Sequence, residues 1–276
     1  MKVREAAVAG LFYPGEPEEL RGTVAELLKD ARERARQLTP LPGQLTAAIV
    51  PHAGYIYSGP TAAMIYQLLE PAQDTINHVV IIGPAHRVGI NALALPDADA
   101  MATPLGDIPL WSHGVDIALA QPDVVVSEAV HAMEHSIEVQ LPFLQTVLPQ
   151  ADILPLAAGW IEPHVVANVL DALWEEDGTL ILISSDLSHY LPYDKAQRID
   201  QSTINQILNR DHEVRHDRAC GATGINAISL TATTHHLSTH LLELCNSGDT
   251  AGDRTSVVGY AAVAYCDIDE PEEVVA

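Results

Sequence analysis

The feature that most limits the fold is a set of short apolar runs, each released into a loop. LTAAIV (45–50), HVVIIG (78–83), ADILPLAAG (151–159) and TLILISS (179–185) read as strands buried on both faces. LTAAIV opens into PHAGYIYSGP, HVVIIG into PAHRVG, and TLILISS into DLSHYLPYD. Helical patterns lie between the runs. Leu20, Val24, Leu27, Leu28 and Ala31 recur at helical spacing within residues 17–38, and Pro40 and Pro42 stop that helix. TAAMIYQLL, VVANVLDALWEE (165–176) and KAQRIDQSTINQILN continue the alternation, and SVVGYAAVAYCDI reads as a last strand. Strands alternating with helices predict an α/β fold, a sheet covered by helices on both faces.

The chain has 276 residues, a length that one α/β domain can reach. No internal repeat, linker or shift of composition divides it, so residues 1–276 are expected to form a single domain. The acidic stretch 268–276 is expected to be a solvated tail. Aromatics make up 5% of the chain, so the core must be built mainly from Ala, Val, Ile and Leu. Acidic residues outnumber basic ones 37 to 14, giving a net charge of −23. Such a field repels phosphate backbones and anionic bilayers, which argues against nucleic-acid and membrane partners. No apolar run approaches the roughly 20 residues that span a bilayer. The N-terminal MKVREAAVAGLFYPGE does not develop the apolar core of a signal peptide. Cys220, Cys245 and Cys266 form no CxxC pair and are odd in number, so a reducing cytoplasm is the expected setting.

The residues with chemistry follow the strands. His52 follows LTAAIV, His86 follows HVVIIG, and Asp186 and His189 follow TLILISS. Ligands of open α/β sheets bind where loops leave the carboxyl ends of strands, so three imidazoles are expected at one edge. Asp186 could accept a hydrogen bond from the His189 ring and set its tautomer. Cys220 sits in ACGATGI, at the expected start of a helix. That position favours a thiolate, yet a lone thiol is more often a small buried apolar residue. Cys245 is expected in a helix and Cys266 in the terminal strand, both as buried thiols. HAMEHSIEVQLPFL (131–144) contains His131, Glu134 and His135 in the H-x-x-E-H order of inverted zinc peptidases. A milder reading makes Glu134, His135 and Glu138 supports of a neighbouring site, with Ser127 or His131 capping a helix. No phosphate-binding glycine loop, dinucleotide fingerprint or serine elbow occurs.

Several stretches together form a recognisable pattern. VREAAVAGLFYPG, VPHAGYIYSG, IIGPAHRVG, TPLGDIPL, EHSIEVQLPFLQ, SSDLSHY and ACGATGI occur in this order across nearly the whole chain. The chain thereby resembles the Memo family, whose prokaryotic members are called AmmeMemoRadiSam system protein B. Ala6 stands where the family usually has Pro, and His131 lies outside the family's EHSIE core.

The resemblance implies one three-layer domain with a mixed central sheet flanked by helices. That fold is similar to the catalytic subunit of class III extradiol ring-cleavage dioxygenases. It also implies a mononuclear metal site with His52 and His86 as ligands and Cys220 in place of the dioxygenase carboxylate. His189, backed by Asp186, takes the place of the acid/base group. Tyr55, Glu134, His135 and Glu138 would line or support the pocket. The implied cofactor is one divalent or redox-active metal, with Fe(II) favoured and Cu or Zn also suited to the donors. Three readings follow. The first is a metal-dependent, dioxygenase-like redox enzyme. The second is a non-catalytic protein that binds a small molecule or peptide in the metal cleft, or handles metal, alongside radical-SAM system proteins. The third is a zinc hydrolase at His131 and His135.

Overall fold

The structure is a computed structural model and describes residues 1–267; the expected acidic tail at 268–276 lies outside the described residues. The strands are β1 (Val3–Arg4), β2 (Leu45–Val50), β3 (His78–Pro84), β4 (Leu93–Leu95), β5 (Ala100–Thr103), β6 (Gly106–Pro109), β7 (Val124–Val126), β8 (Asp152–Ala158), β9 (Thr179–Ser184), β10 (Ser238–Asn246) and β11 (Gly259–Cys266). The α-helices are α1 (Pro17–Ala35), α2 (Tyr55–Leu69), α3 (Ser112–Leu119), α4 (Glu128–His131), α5 (Leu141–Val147), α6 (Pro163–Trp174), α7 (Tyr193–Leu208) and α8 (Ala222–Thr234).

Eight strands form one mixed sheet in the order β10-β11-β2-β9-β3-β8-β4-β7. The centre, β2-β9-β3-β8, is parallel. Antiparallel pairs flank it, β11 against β2 on one side and β4 against β8 on the other. The four apolar runs of the sequence are these four central strands. Each is buried on both faces, which is why none shows alternation. β1, β5 and β6 make a separate three-stranded sheet.

Successive side chains of the central strands point to opposite faces, and each face has its own core. Ala48, Val50, Val79, Ile81, Leu180 and Leu182 pack with Leu20, Val24 and Leu28 of α1, with α2 and with α5. Ala47, Ile49, Val80, Ile82, Ile181 and Ile183 pack with Val166, Leu170 and Leu173 of α6, with α7 and with α8. The result is three layers, helices over sheet over helices.

Three local expectations need correction. The first helix ends at Ala35 rather than at residue 38. The helix expected at TAAMIYQLL starts earlier, at Tyr55, and carries Pro60 inside it. Cys245 lies in β10, not in a helix, because residues 238–246 pair antiparallel with β11. That strand lies at the edge of the sheet, and all but its last residue are half-buried, so no period of two marks it.

Candidate metal centre

Parallel strands bring their carboxyl ends to one edge. β2 ends at Val50, β9 at Ser184 and β3 at Pro84, so His52, Asp186, His189 and His86 emerge together. Cys220 comes from a different element, two residues before the start of α8. Its backbone N–H donates to the Asp186 carbonyl at 3.2 Å. The Gly221 N–H donates to Ser185 Oγ at 2.9 Å. A Cβ at position 221 would stand 2.8 Å from the Ser184 carbonyl oxygen, so only glycine lets this turn lie against the end of β9.

One ring nitrogen of His52, one of His86 and the Cys220 sulfur all lie within 4.8 Å of one another. His52 Nε2 is 3.3 Å from Cys220 Sγ. Two ligands on a common ion, at about 2.0–2.1 Å for imidazole nitrogen and 2.3 Å for thiolate, stand roughly 3.5 Å apart in tetrahedral geometry. The spacing therefore fits a shared metal.

Hydrogen bonds at the far side of each ring set which nitrogen is free. Ser184 Oγ donates to the Ser136 carbonyl at 2.5 Å and accepts from Gln140 Nε2 at 2.9 Å. Its single proton is thus committed, and the 2.9 Å contact with His52 Nδ1 requires the ring to donate. His86 Nδ1 lies 3.0 Å from Glu134 Oε1. A carboxylate only accepts, so this ring also donates from Nδ1. Both rings keep the lone pair on Nε2, the form a metal requires.

Glu134 is 2% exposed. Burial alone would raise its pKa, but the His86 ring and the backbone N–H groups of Ser136 and His86 hold it well below the usual carboxylate range. Its oxygens also accept from the His135 N–H, at 2.8 Å. Burial, with the neighbouring His86 and His135 rings, keeps His52 neutral. The Cys220 thiol is pushed up to about 12, first by burial and then by Asp186. A metal would displace its proton on binding.

A cleft of about 820 Å³ opens over His52, His86, His135 and His189, with Leu11, Phe12, Tyr57 and Tyr190 among its walls. Among the described residues Arg87 is the one Lys or Arg that lines it. His135 stacks on His86, ring centroids 4.7 Å apart, and burial draws its pKa down to about 4. His189 also lies low, chiefly through burial, so its ring is neutral near pH 7.

Other expected residues take different places. Asp186 does not carry the His189 ring. Its Oδ1 accepts the His52 backbone N–H at 2.8 Å, and burial raises its pKa to about 7. His189 interacts instead with the Leu187 backbone. Tyr55 is buried away from the cleft and donates to the Val139 carbonyl at 2.7 Å. Glu138 is fully buried and holds the N-terminal segment, pairing with Arg4 and accepting from the Ala7 and Val8 N–H groups and from Tyr13 Oη. That segment supplies Leu11 and Phe12 to the cleft.

The inverted zinc motif is not assembled. α4 ends at His131, so the residues His131 to His135 do not share a helix face. The His131 ring is buried and bonds the Ala94 carbonyl at 2.7 Å. Ser127 caps α4, accepting from the Val130 N–H. Among the described residues the second group of possible metal donors is His86, Glu134 and His135, and His131 is in neither group. Sequence reasoning missed Ser184 and Gln140, which set the His52 tautomer. Ser184 opens the SSDLSHY stretch and Gln140 lies within EHSIEVQLPFLQ, but no spacing in either stretch marks the hydrogen bonds they make.

The Memo-like protein family profile matches residues 4–264. A MEMO1 family protein of Methanosarcina mazei is 37% identical over 95% of this chain and 99% of its own length. One from Aquifex aeolicus is 34% identical over 96% of this chain and 100% of its own. Among solved structures, the uncharacterized protein JW3007 from Escherichia coli K12 aligns with a TM-score of 0.51 at 12% identity. It covers 80% of this chain and 99% of that one, a likeness of fold alone. No helix of the described residues is long and apolar enough to cross a membrane. With this match from residue 4 to residue 264, the chain belongs to the Memo family.

Proposed function

We propose that the chain holds a single metal ion through His52 Nε2, His86 Nε2 and the Cys220 thiolate, and acts as a dioxygenase-like oxidoreductase. The observation that carries this reading is the pair of Nδ1 hydrogen bonds, to Ser184 and Glu134, that leaves both Nε2 lone pairs free in a group of two imidazoles and one sulfur whose ligand atoms lie within 4.8 Å of one another. Three protein ligands leave coordination positions for other groups, the arrangement of catalytic rather than closed structural sites. Fe(II) is the favoured metal by family resemblance, and the nitrogen–sulfur donor set also suits Cu or Zn. When bound, a redox-active ion would supply the electron transfer that none of these side chains can supply alone.

The chain's own residues then have separate tasks. Ser184 and Glu134 fix the two rings. The carbonyl of Asp186 and the hydroxyl of Ser185 hold the Cys220 turn. His189, neutral and facing the cleft, is the group placed to accept a proton from a ligand hydroxyl. The cleft would take a small molecule or a peptide segment, and a radical-SAM protein is the partner the resemblance suggests. A reducing cytoplasm suits an oxidisable thiolate ligand.

Metal analysis of protein purified without a His tag tests the reading. About one metal per chain, lost in both His52→Ala and Cys220→Ala, is the expected result. Metal retained by both variants would remove the site. Oxygen uptake with a catechol panel after anaerobic Fe(II) loading tests catalysis. Bound metal with no oxygen consumed would leave a non-catalytic, ligand-binding or metal-handling role.

A further inference from the structure

Two cavities reach the His52–His86–Cys220 group from different directions. The broad cleft meets it at His52 and His86. A second cavity, of about 140 Å³, ends on His86 and Cys220. Among the described residues His86 is the one that lines both, and Cys220 borders the small cavity alone. Cys220 is therefore approached from the small cavity, His52 from the cleft, and His86 from both.

The walls of the small cavity say what could enter. Ile82, Ile90, Ala158 and Gly224 line it, with backbone from both strand ends. Among the described residues no Lys, Arg, Asp or Glu contributes. The Thr223 hydroxyl is paired with His216 Nε2 at 3.3 Å. Trp160, 72% exposed, and the exposed His216 stand 5.7 Å apart by ring centroid at the outer end. An apolar cavity of about 150 Å³ stays dry and accepts xenon or benzene. This one is of similar volume, too small for a peptide, and has no carboxylate, ammonium or guanidinium among its described lining residues to pair with a charged molecule.

We infer that the centre has a second entrance: the small cavity admits a neutral apolar molecule of dioxygen size to the Cys220 side, while the cleft holds the larger ligand. The use of this entrance rests on the metal reading above; its existence does not. Each entrance then serves one reactant, so a bound organic ligand need not block access by the small one.

Xenon tests this directly. Crystals of metal-free protein under xenon pressure should show an anomalous peak among Ile90, Ala158, Gly224 and Cys220. Xenon found elsewhere in the protein but absent there would overturn the inference, whatever the metal content. Thiol labelling gives a second readout. A small neutral thiol reagent should modify Cys220 in the metal-free wild type, with Cys245, at a separate pocket, as the internal reference. Ala158→Leu, which grows into the cavity, should slow Cys220 labelling roughly tenfold by restricting access. A Cys220 rate within about twofold of wild type in that folded variant would overturn the inference. Should Ala158→Leu fail to fold, Thr223→Leu narrows the cavity from α8 and is judged by the same rates.

Discussion

Glu134→Gln separates the orientation of His86 from its presence. The carboxylate accepts four hydrogen bonds: Oε2 from the His86 N–H at 2.6 Å, and Oε1 from His86 Nδ1, the His135 N–H and the Ser136 N–H at 3.0, 2.8 and 2.9 Å. Glutamine has nearly the same volume, so no cavity opens. Its single oxygen can face the three donors on the Oε1 side, but its NH₂ then faces the His86 backbone N–H. One buried donor is left unpaired and three charge-assisted bonds become neutral ones. An unsatisfied buried group costs about 1–3 kcal/mol, and the weaker bonds add to it, so a loss of roughly 3 kcal/mol is expected. In a chain of this size that lowers Tm by roughly 6–12 °C. Metal affinity should fall separately, by about 10–100-fold, because the His86 ring loses its charged partner. Chelator competition on the folded variant reads the affinity, and thermal or urea unfolding reads the stability. Affinity within about twofold of wild type, in a variant that shows the stability loss, would refute the claim that Glu134 prepares His86 for metal.

Ser184→Ala should act likewise on His52. It removes the acceptor of Nδ1–H and strands the Ser136 carbonyl, so stability should fall by about 1–3 kcal/mol and affinity by at least tenfold in chelator competition. Glu138→Gln leaves the buried Arg4 without its charge partner, a loss of about 3–5 kcal/mol, and limited proteolysis should then cut near Leu11. His131 gives a pH signature. Burial draws its pKa to about 4 in the folded state, against about 6.5 when unfolded. The unfolded chain thus binds the extra proton between those values, so this contribution is intact above about pH 6.5 and is lost as pH falls toward 4, by roughly 3 kcal/mol. Urea unfolding at pH 7 and 4.5 should show a smaller decline for His131→Gln than for wild type, with metal content at pH 7 unchanged.

The sequence revealed the centre of the sheet because its four strands are buried on both sides and read as unbroken apolar runs. It revealed His52, His86, Asp186 and His189 as strand-end residues because parallel strands share a carboxyl edge. It could not place Cys220 locally. The bonds that bring that turn to β9 join residues 34 and 36 positions apart, and no periodicity encodes them. Only the resemblance pointed to it. Asp186 was legible in position but not in partner: its carboxylate caps the loop that carries His52 rather than the ring three residues on. The H-x-x-E-H spacing needed a helix through residue 135, and α4 ends at His131. Ser184 and Gln140 stayed hidden because buried hydrogen-bonding residues have no spacing signature.

X-ray absorption on the metal-loaded protein tests the central claim most directly. The account predicts one sulfur at about 2.3 Å and two imidazole nitrogens at about 2.0–2.1 Å, with the sulfur contribution gone in Cys220→Ser. A first shell of nitrogen and oxygen only, in wild-type protein carrying one metal per chain, would contradict it.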